Sequence, residues 1–306
     1  MEGMMPITGA QYEISAGEYR ATITELGAGL RALTYAGRPL IASYPPDDLP
    51  PGAAGQLLTP WPNRVDHGRY TFGGSAYQLD LSEPELGNAI HGLTRWASWA
   101  PVQHEPDRLL LTHVLHGRPG YPFCLELDAQ YQLGADGLRV TITAHNSGSR
   151  PAPYGIGSHP YLTGGARIDS YLLTVPATHW LPADDRGIPS GPVRDITGSP
   201  FDFRQARPLG GTRIDHALTG LVRDPDGKAW ARVCTGHGEL ALWAGEGYGW
   251  LQVFTGDTLA EPDRRQAIAI EPMTCPPNSF VTGHDLITLD PGESAVHAWG
   301  LEFLDS

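Results

Sequence analysis

The chain has 306 residues and a hydrophobic content of 41%, which is enough to bury a sizeable core. Its net charge of −13 disfavours nucleic acid and anionic membranes as partners, since both require a basic patch. Its 38 glycines and 28 prolines are spread along the chain, which fits short strands joined by tight turns better than long helices.

Alternation of apolar and polar residues, the mark of a strand, recurs along the whole chain. In residues 138–145 every second side chain is apolar, which is the period of a half-buried antiparallel strand. No segment of 12 or more residues has the periodicity of an amphipathic helix. In chain order, the predicted strands are residues 19–25, 109–115, 124–133, 138–145, 171–176, 229–234, 239–243, 250–255, 267–271 and 294–303.

Short strands separated by Gly, Pro, Asn and Asp clusters predict an all-β fold, either a sandwich or a barrel. No repeat of fixed period and no shift in composition marks a boundary, so we predict a single domain over residues 1–306. Three long polar connections, residues 43–61, 82–99 and 183–207, would lie over the sheets as functional loops or as plain surface.

Glu271 ends the apolar run 267–271 and is followed at once by Pro272. Alternation points Ile268 and Ile270 into a core and puts Glu271 on the opposite face, beside two alanines that leave room for a ligand. Because proline cannot donate a ladder hydrogen bond, we predict that strand pairing ends next to the acid, at the rim of a sheet. A solvated glutamate at a strand end is the alternative.

Three further segments place a donor or a titratable side chain among glycines, prolines and aromatics. Arg64 offers a rigid fork of donors suited to hydroxyl or carboxylate oxygens. His91 precedes Gly92, which permits close backbone approach to whatever the histidine contacts. His159 precedes Pro160 and is therefore held extended. The respective alternatives are a structural ion pair, a turn histidine and a buried core histidine.

A carboxylate and two histidines suit acid/base chemistry, which needs pKa values pushed apart at one site. Other chemistries have less support, because the chain has no HExxH or GxSxG motif and no phosphate-binding glycine loop. Its three cysteines are far apart and indicate neither a disulfide framework nor structural zinc. These missing motifs predict a protein that needs no metal. Residues 1–6 lack a leader pattern, and no apolar run approaches about 18 residues, so we also predict that the protein is cytoplasmic.

Taken together, these segments resemble the aldose 1-epimerase (galactose mutarotase) family, in a divergent bacterial branch. The likeness covers nearly the whole chain and implies a large antiparallel β-sandwich of the galactose mutarotase type, no cofactor, and a small-molecule aldose as the partner. Its motifs, in order, are Asn63-Arg64, Asn88-Ala89-Ile90-His91-Gly92, Ser158-His159-Pro160-Tyr161-Leu162, Ile214-Asp215-His216 and Ile270-Glu271-Pro272.

The resemblance also implies roles for individual residues. Glu271 would be the general base that removes the proton from the anomeric hydroxyl, and His159 the general acid that protonates the ring oxygen. His91 would bind near the ring oxygen, while Arg64 and Asp215 would hold sugar hydroxyls. From its surroundings alone, Asp215 could equally cap a turn.

The resemblance does not specify the aldose. Family members that act on galactose commonly have Tyr-Phe-Asn after the acid histidine, whereas Pro160-Tyr161-Leu162 follows here. The branch is similar to mutarotases of other aldoses, including sulfonated ones, and Arg64 or Arg95 could meet an anion. The choice between monomer and homodimer stays open. Two other functions are a sugar-binding sandwich without catalysis and a glycosidase that pairs Glu271 with Asp215.

Residues 250–254 form the last candidate. On a strand, Trp250, Gln252 and Phe254 share one face, which would make an aromatic platform for a sugar ring. The favoured alternative is that both aromatics pack into a second layer of the sandwich.

Overall fold

The fold is built almost entirely from antiparallel strands, as a computed structural model of residues 5–305 shows. Residues 1–4, part of the N-terminal segment discussed above, and Ser306 lie outside the described residues. Regular helix is limited to one turn of α-helix, α1 (Ser279–Thr282), and two 3-10 turns, Pro51–Ala53 and Ile168–Ser170. No helix in the described part of the chain is long and apolar enough to cross a membrane.

The first half of the chain contributes short hairpins and then long strands. These strands are β1 (Gln11–Ala16), β2 (Tyr19–Thr24), β3 (Leu30–Tyr35), β4 (Arg38–Pro39), β5 (Leu57–Leu58), β6 (Arg64–Asp66), β7 (Arg69–Phe72), β8 (Ser75–Gln78), β9 (Asn88–Ile90), β10 (Ala100–His104), β11 (Arg108–Leu115), β12 (Leu125–Gly134) and β13 (Gly137–Asn146).

The second half completes both large sheets. Its strands are β14 (Ala152–Tyr154), β15 (Gly157–Ser158), β16 (Tyr161–Leu162), β17 (Leu172–Thr174), β18 (Ala177–Trp180), β19 (Arg194–Asp195), β20 (Arg207–Pro208), β21 (Asp215–Leu221), β22 (Ala229–Thr235), β23 (Gly238–Ala244), β24 (Trp250–Phe254), β25 (Ile268–Met273), β26 (Ile287–Leu289) and β27 (Ser294–Leu304).

Two large sheets form the sandwich. One has nine strands in the order β10-β11-β12-β13-β27-β23-β22-β17-β20, and the other runs β19-β18-β21-β24-β25-β15-β5, with β16 also paired to β25. A contiguous apolar cluster contains side chains of both sheets, among them Val140 and Ile142 from the first and Val253, Ile268 and Ile270 from the second. This shared core confirms the predicted all-β sandwich.

Each of the ten predicted strands is present, with ends that differ by a few residues. In β13 the alternate residues from Leu138 to Ala144 are buried, as their period predicts. The alternation in β25 is confirmed too, because Ile268 and Ile270 lie in the core.

The predicted end of strand pairing at Pro272 is wrong. Strand β25 continues to Met273, with Leu251 opposite Pro272 and Trp250 opposite Met273. The proline is tolerated because a strand residue donates toward one neighbour only, and the missing donor therefore interrupts one bond rather than the ladder. Glu271 consequently lies in an interior strand of its sheet and not at a rim.

Candidate functional site

A cavity of about 350 Å³ opens on the face of the seven-strand path that points away from the core. That volume suits one small molecule. Strands β24 and β25 form its floor, and the connections around residues 50–53, 82–95 and 258–259 form its walls. The cavity lining includes all five residues singled out from the sequence: Arg64, His91, His159, Asp215 and Glu271.

Glu271 lies on the cavity floor with only 2% of its surface exposed. Its cross-strand partner is Gln252. Within residues 5–305, Glu271 Oε2 and Gln252 Oε1 accept no hydrogen bond. Burial, together with the nearby Asp215 carboxylate, raises the pKa of Glu271 well above its usual value, although Arg64 acts in the opposite direction. The floor therefore offers acceptor oxygens to a ligand that carries hydroxyl groups.

His159 connects β15 to β16 and faces the same acid. Its Nε2 lies 3.3 Å from Glu271 Oε1, and the two side chains are 5% and 2% exposed. Burial, reinforced by Arg95, lowers the pKa of His159 to about 3. Burial thus shifts the pKa values of the two groups in opposite directions, and in each case it favours the neutral form.

His91 and Asn63 form a reciprocal contact at the cavity wall. The Asn63 N–H donates to His91 Nδ1 at 3.2 Å, and the His91 N–H donates to the Asn63 carbonyl at 2.8 Å. Both residues have left-handed backbone, with φ of 55° and 61°. Burial lowers the pKa of His91 well below its usual value. Because Nδ1 accepts, the neutral ring carries its proton on Nε2, which is a donor for a ligand.

Arg64 projects from β6 and forms an ion pair with Glu83. Its Nε and Nη2 each donate at 2.8 Å to one oxygen of Glu83, a two-pronged pair whose side chains are 15% and 18% exposed. Asn88 donates at 3.0 Å to the same carboxylate. The structural ion pair and the cavity position, posed as alternatives from the sequence, are therefore both present.

Asp215 begins β21, two strands away from Glu271. Its Oδ1 accepts from Gln252 Nε2 at 2.6 Å, so Gln252 stands between the two acids. The carboxylate lines the cavity, as does the neighbouring ring of Phe254. Within residues 5–305 no backbone N–H donates to the Asp215 carboxylate, so it does not cap a turn.

Two local predictions need correction, and one open alternative is decided. The space above Ala267 and Ala269 is not open to a ligand, because Tyr161 packs there. For residues 250–254 the favoured alternative holds for Trp250, which is buried in a separate cluster with Met273, whereas Phe254 lines the cavity.

The close approach at Gly92 involves a partner other than the predicted one. A β-carbon there would lie 2.1 Å from the Thr59 carbonyl oxygen, so it is the Thr59 backbone, and not the contact of His91, that requires glycine.

Two residues of the cavity had no role in the sequence interpretation. Glu83 lies in a connection without periodicity, where no pattern distinguishes it from a solvated acid. Tyr161 belongs to a recognised motif, but its contacts depend on pairing between β16 and β25 that the sequence does not specify. Among residues 5–305, no three His, Cys, Asp or Glu side chains converge closely enough to hold a metal ion.

Comparisons with known proteins agree with this architecture. Residues 10–301 match the family described as aldose 1-epimerase. The uncharacterized protein YihR of Escherichia coli (strain K12) is 36% identical over 293 residues, which is 94% of this chain and 92% of that protein. The aldose 1-epimerase of the same organism is 30% identical over 164 residues, which is 50% of this chain and 45% of that enzyme.

Solved structures share the fold. A homologue of aldose epimerase from C. elegans superposes with a TM-score of 0.86 at 19% identity, covering 97% of this chain and 99% of the other. Galactose 1-epimerase from Lactobacillus acidophilus gives a TM-score of 0.81 at 21% identity, covering 95% and 93%. With a family match over nearly its whole length and a full-length relative, the chain belongs to the aldose 1-epimerase family.

Proposed function

We propose that this protein is an aldose 1-epimerase, an isomerase that interconverts the α and β anomers of a free aldose. The observation that carries the proposal is the 3.3 Å contact of His159 Nε2 with Glu271 Oε1, buried in a cavity of about 350 Å³. A carboxyl and an imidazole so placed reach two adjacent oxygens of one sugar, the anomeric hydroxyl and the ring oxygen.

The reaction needs two proton transfers. Glu271 takes the proton of the C1 hydroxyl, the bond from C1 to the ring oxygen breaks as the C1 carbonyl forms, and His159 gives its proton to the ring oxygen. Rotation about the bond between C1 and C2 presents the other face of the aldehyde. The ring oxygen then attacks C1 while returning its proton to His159, and Glu271 reprotonates the new anomeric oxygen. No cofactor takes part.

The reactive state has an ionised Glu271 and a protonated His159. The 3.3 Å contact between His159 Nε2 and Glu271 Oε1 is short enough for a proton to pass from the acid to the imidazole without exchange with solvent. Sugar hydroxyls that donate to Glu271 stabilise its charged form, since hydrogen bonds to a carboxylate lower its pKa. Substrate binding therefore drives the pair toward the form that reacts.

The remaining predicted residues hold the sugar. Nε2 of His91 donates near the ring oxygen, the guanidinium of Arg64 donates to hydroxyl oxygens, and Asp215 accepts from a hydroxyl at the far side of Gln252. Convergent polar groups of this kind fix the orientation of a small polar ligand.

The proposal describes a cytoplasmic, single-domain enzyme, monomeric or homodimeric, whose partner is a small sugar and not nucleic acid or a membrane. The net charge of −13 supports the last point.

Anomer exchange measured by polarimetry and by one-dimensional NMR exchange over a panel of aldoses tests the proposal. Freshly dissolved α-D-glucose and α-D-galactose come first, at low buffer concentration. We expect the wild type to accelerate exchange of at least one aldose, and Glu271→Gln and His159→Gln to lower kcat by about 100-fold or more. Glu126→Gln, an exposed acid of the other sheet, is the matched control and should behave as wild type.

Two outcomes would replace the proposal. Sugar binding without accelerated exchange of any aldose would identify a binding protein. Release of nitrophenol from aryl glycosides, lost in both Glu271→Gln and Asp215→Asn, would identify a glycosidase.

A further inference from the structure

The imidazole of His159 lacks the usual anchor of a functional histidine. Such rings are normally oriented by a hydrogen bond from the second nitrogen to a carboxylate or a carbonyl. Here Nδ1 is buried and has no partner of ordinary geometry within residues 5–305. The contact of Nε2 with Glu271 constrains one end of the ring only, so packing must supply the rest of its orientation.

Tyr161 supplies the flat surface. Its ring lies almost parallel to that of His159, at a centroid distance of 4.8 Å and an angle of 16°. On another side, His91 meets the imidazole edge-on at 5.5 Å and 77°. The parallel ring opposes tilting of the imidazole plane, and His91 packs against the imidazole from a second direction.

Tyr161 is itself fixed from several directions. Tyr161 pairs with Ala269 on β25. The small methyl group of this alanine lets the phenol ring lie close to the sheet. The hydroxyl donates to the Gly52 carbonyl at 3.0 Å, and Phe254 meets the ring edge-on at 6.3 Å and 74°.

Gly52 completes this arrangement because it has no side chain. Its φ is 54°, and a β-carbon there would lie 2.6 Å from the Tyr161 hydroxyl oxygen. Burial first, and the Glu271 charge second, raise the pKa of Tyr161 well above its usual value, so the hydroxyl stays protonated and keeps donating.

We propose that Tyr161 is the positioning residue of the acid histidine, and that its stacked ring replaces the missing hydrogen bond at Nδ1. The inference rests on the proposed mutarotase reaction. It assigns Tyr161 no contact with the reacting atoms. The aromatic face is what matters, and the hydroxyl serves to tie that face to the wall of the cavity at Gly52.

Kinetics and NMR of ring-removing and ring-keeping variants test this proposal. Removing the ring in Tyr161→Leu should lower kcat by about 10- to 100-fold, the effect of misplacing a catalytic group by about 1 Å, with KM changed less than about threefold. Tyr161→Phe keeps the ring and should keep kcat within about threefold. Tyr161→Met is a second ringless variant, should the leucine variant fail to fold.

A readout independent of turnover separates positioning from chemistry. Ring-proton NMR signals of His159, assigned by their loss in His159→Gln, should carry an upfield shift from the parallel Tyr161 ring. That shift should persist in Tyr161→Phe and disappear in Tyr161→Leu and Tyr161→Met. Circular dichroism verifies that each variant is folded.

The outcomes are distinct. A folded ringless variant with wild-type kcat, or with an unchanged His159 signal, overturns the proposal. A rise in KM alone also overturns it, since Tyr161 would then bind the sugar directly. If the wild type accelerates no aldose, the mutarotase reaction fails, while the NMR comparison still decides whether Tyr161 orients His159.

Discussion

Replacing Glu83 by glutamine should weaken sugar binding by releasing Arg64. The two side chains form a two-pronged pair, with 2.8 Å from Arg64 Nε and Nη2 to the two carboxylate oxygens. Although burial opposes ionisation, the hydrogen bonds from Arg64 and Asn88 lower the pKa of Glu83. Because the pKa of the Glu83 carboxyl is lower in the folded protein, its ion pair with Arg64 stabilises the fold at pH values above the pKa of the unfolded chain. The pair therefore persists at neutral pH and is lost when the solution is acidified.

The size of the effect follows from burial. A hydrogen bond to a charged group contributes about 1.5 to 3 kcal/mol, and glutamine keeps one of the two acceptor oxygens. Because the side chains are 15% and 18% exposed, solvent screens part of the lost bond, and about 1.5 kcal/mol remains. That energy corresponds to a decrease of about tenfold in the fraction of molecules in which Arg64 is oriented to bind the sugar. Since Arg64 binds substrate and transition state alike in our proposal, KM should rise about tenfold with kcat nearly unchanged.

Steady-state anomer exchange on the preferred aldose is the assay. Glu85→Gln is the matched control, because it removes the same charge from the same cavity lining, and Glu85 has no ion-pair partner within residues 5–305. Its KM should stay within about twofold of wild type. Equal increases in KM in both variants would show that the charge of the cavity determines binding, and not the ion pair between Glu83 and Arg64. A decrease in kcat alone would contradict the binding role of Arg64.

Three further predictions concern stability and access. Because the pKa of Glu271 is raised in the folded protein, the free energy of unfolding decreases as the pH rises above the pKa of the unfolded chain. Glu271→Gln should therefore stabilise the fold by about 1 to 2 kcal/mol at pH 7 and by less at pH 4, as measured by urea unfolding. A β-carbon at Gly187 would lie 2.4 Å from Arg64 Nη1, so Gly187→Ala should raise KM about tenfold, whereas Gly191→Ala, with open space around it, should not. Burial lowers the pKa of His297 to about 4, so stability falls with pH below about 6.5, and His297→Phe should remove about 3 kcal/mol of the loss between pH 7 and 4; an equal loss in both proteins would refute this.

The sequence was sufficient for the strands whose apolar residues alternate regularly. In β13 and β25 the period of two decides which side chains enter the core, and the structure agrees. It failed where tertiary pairing decides the outcome. Pro272 looks like a strand end in isolation, but pairing with β24 on one side tolerates it.

The candidate site was predictable in part for a similar reason. Glu271 and His159 stand out because charged or titratable groups are unusual next to apolar runs and prolines. Glu83 does not, since its role depends on a fold that brings residues 64 and 83 together. The prediction that the alanines near Glu271 leave room for a ligand was wrong, because Tyr161 of the same chain fills that space.

The left-handed backbone at Asn63 and His91 has a consequence for engineering. For residues other than glycine this conformation costs on the order of 1 kcal/mol each, a cost that glycine would not incur. Glycine at either position would relieve this strain but would also remove a buried hydrogen-bond acceptor, His91 Nδ1 or Asn63 Oδ1, and at position 91 the imidazole itself. Selection for thermal tolerance should therefore be combined with selection for activity. Without it, variants that are more stable but have lost the imidazole from the cavity wall would be retained.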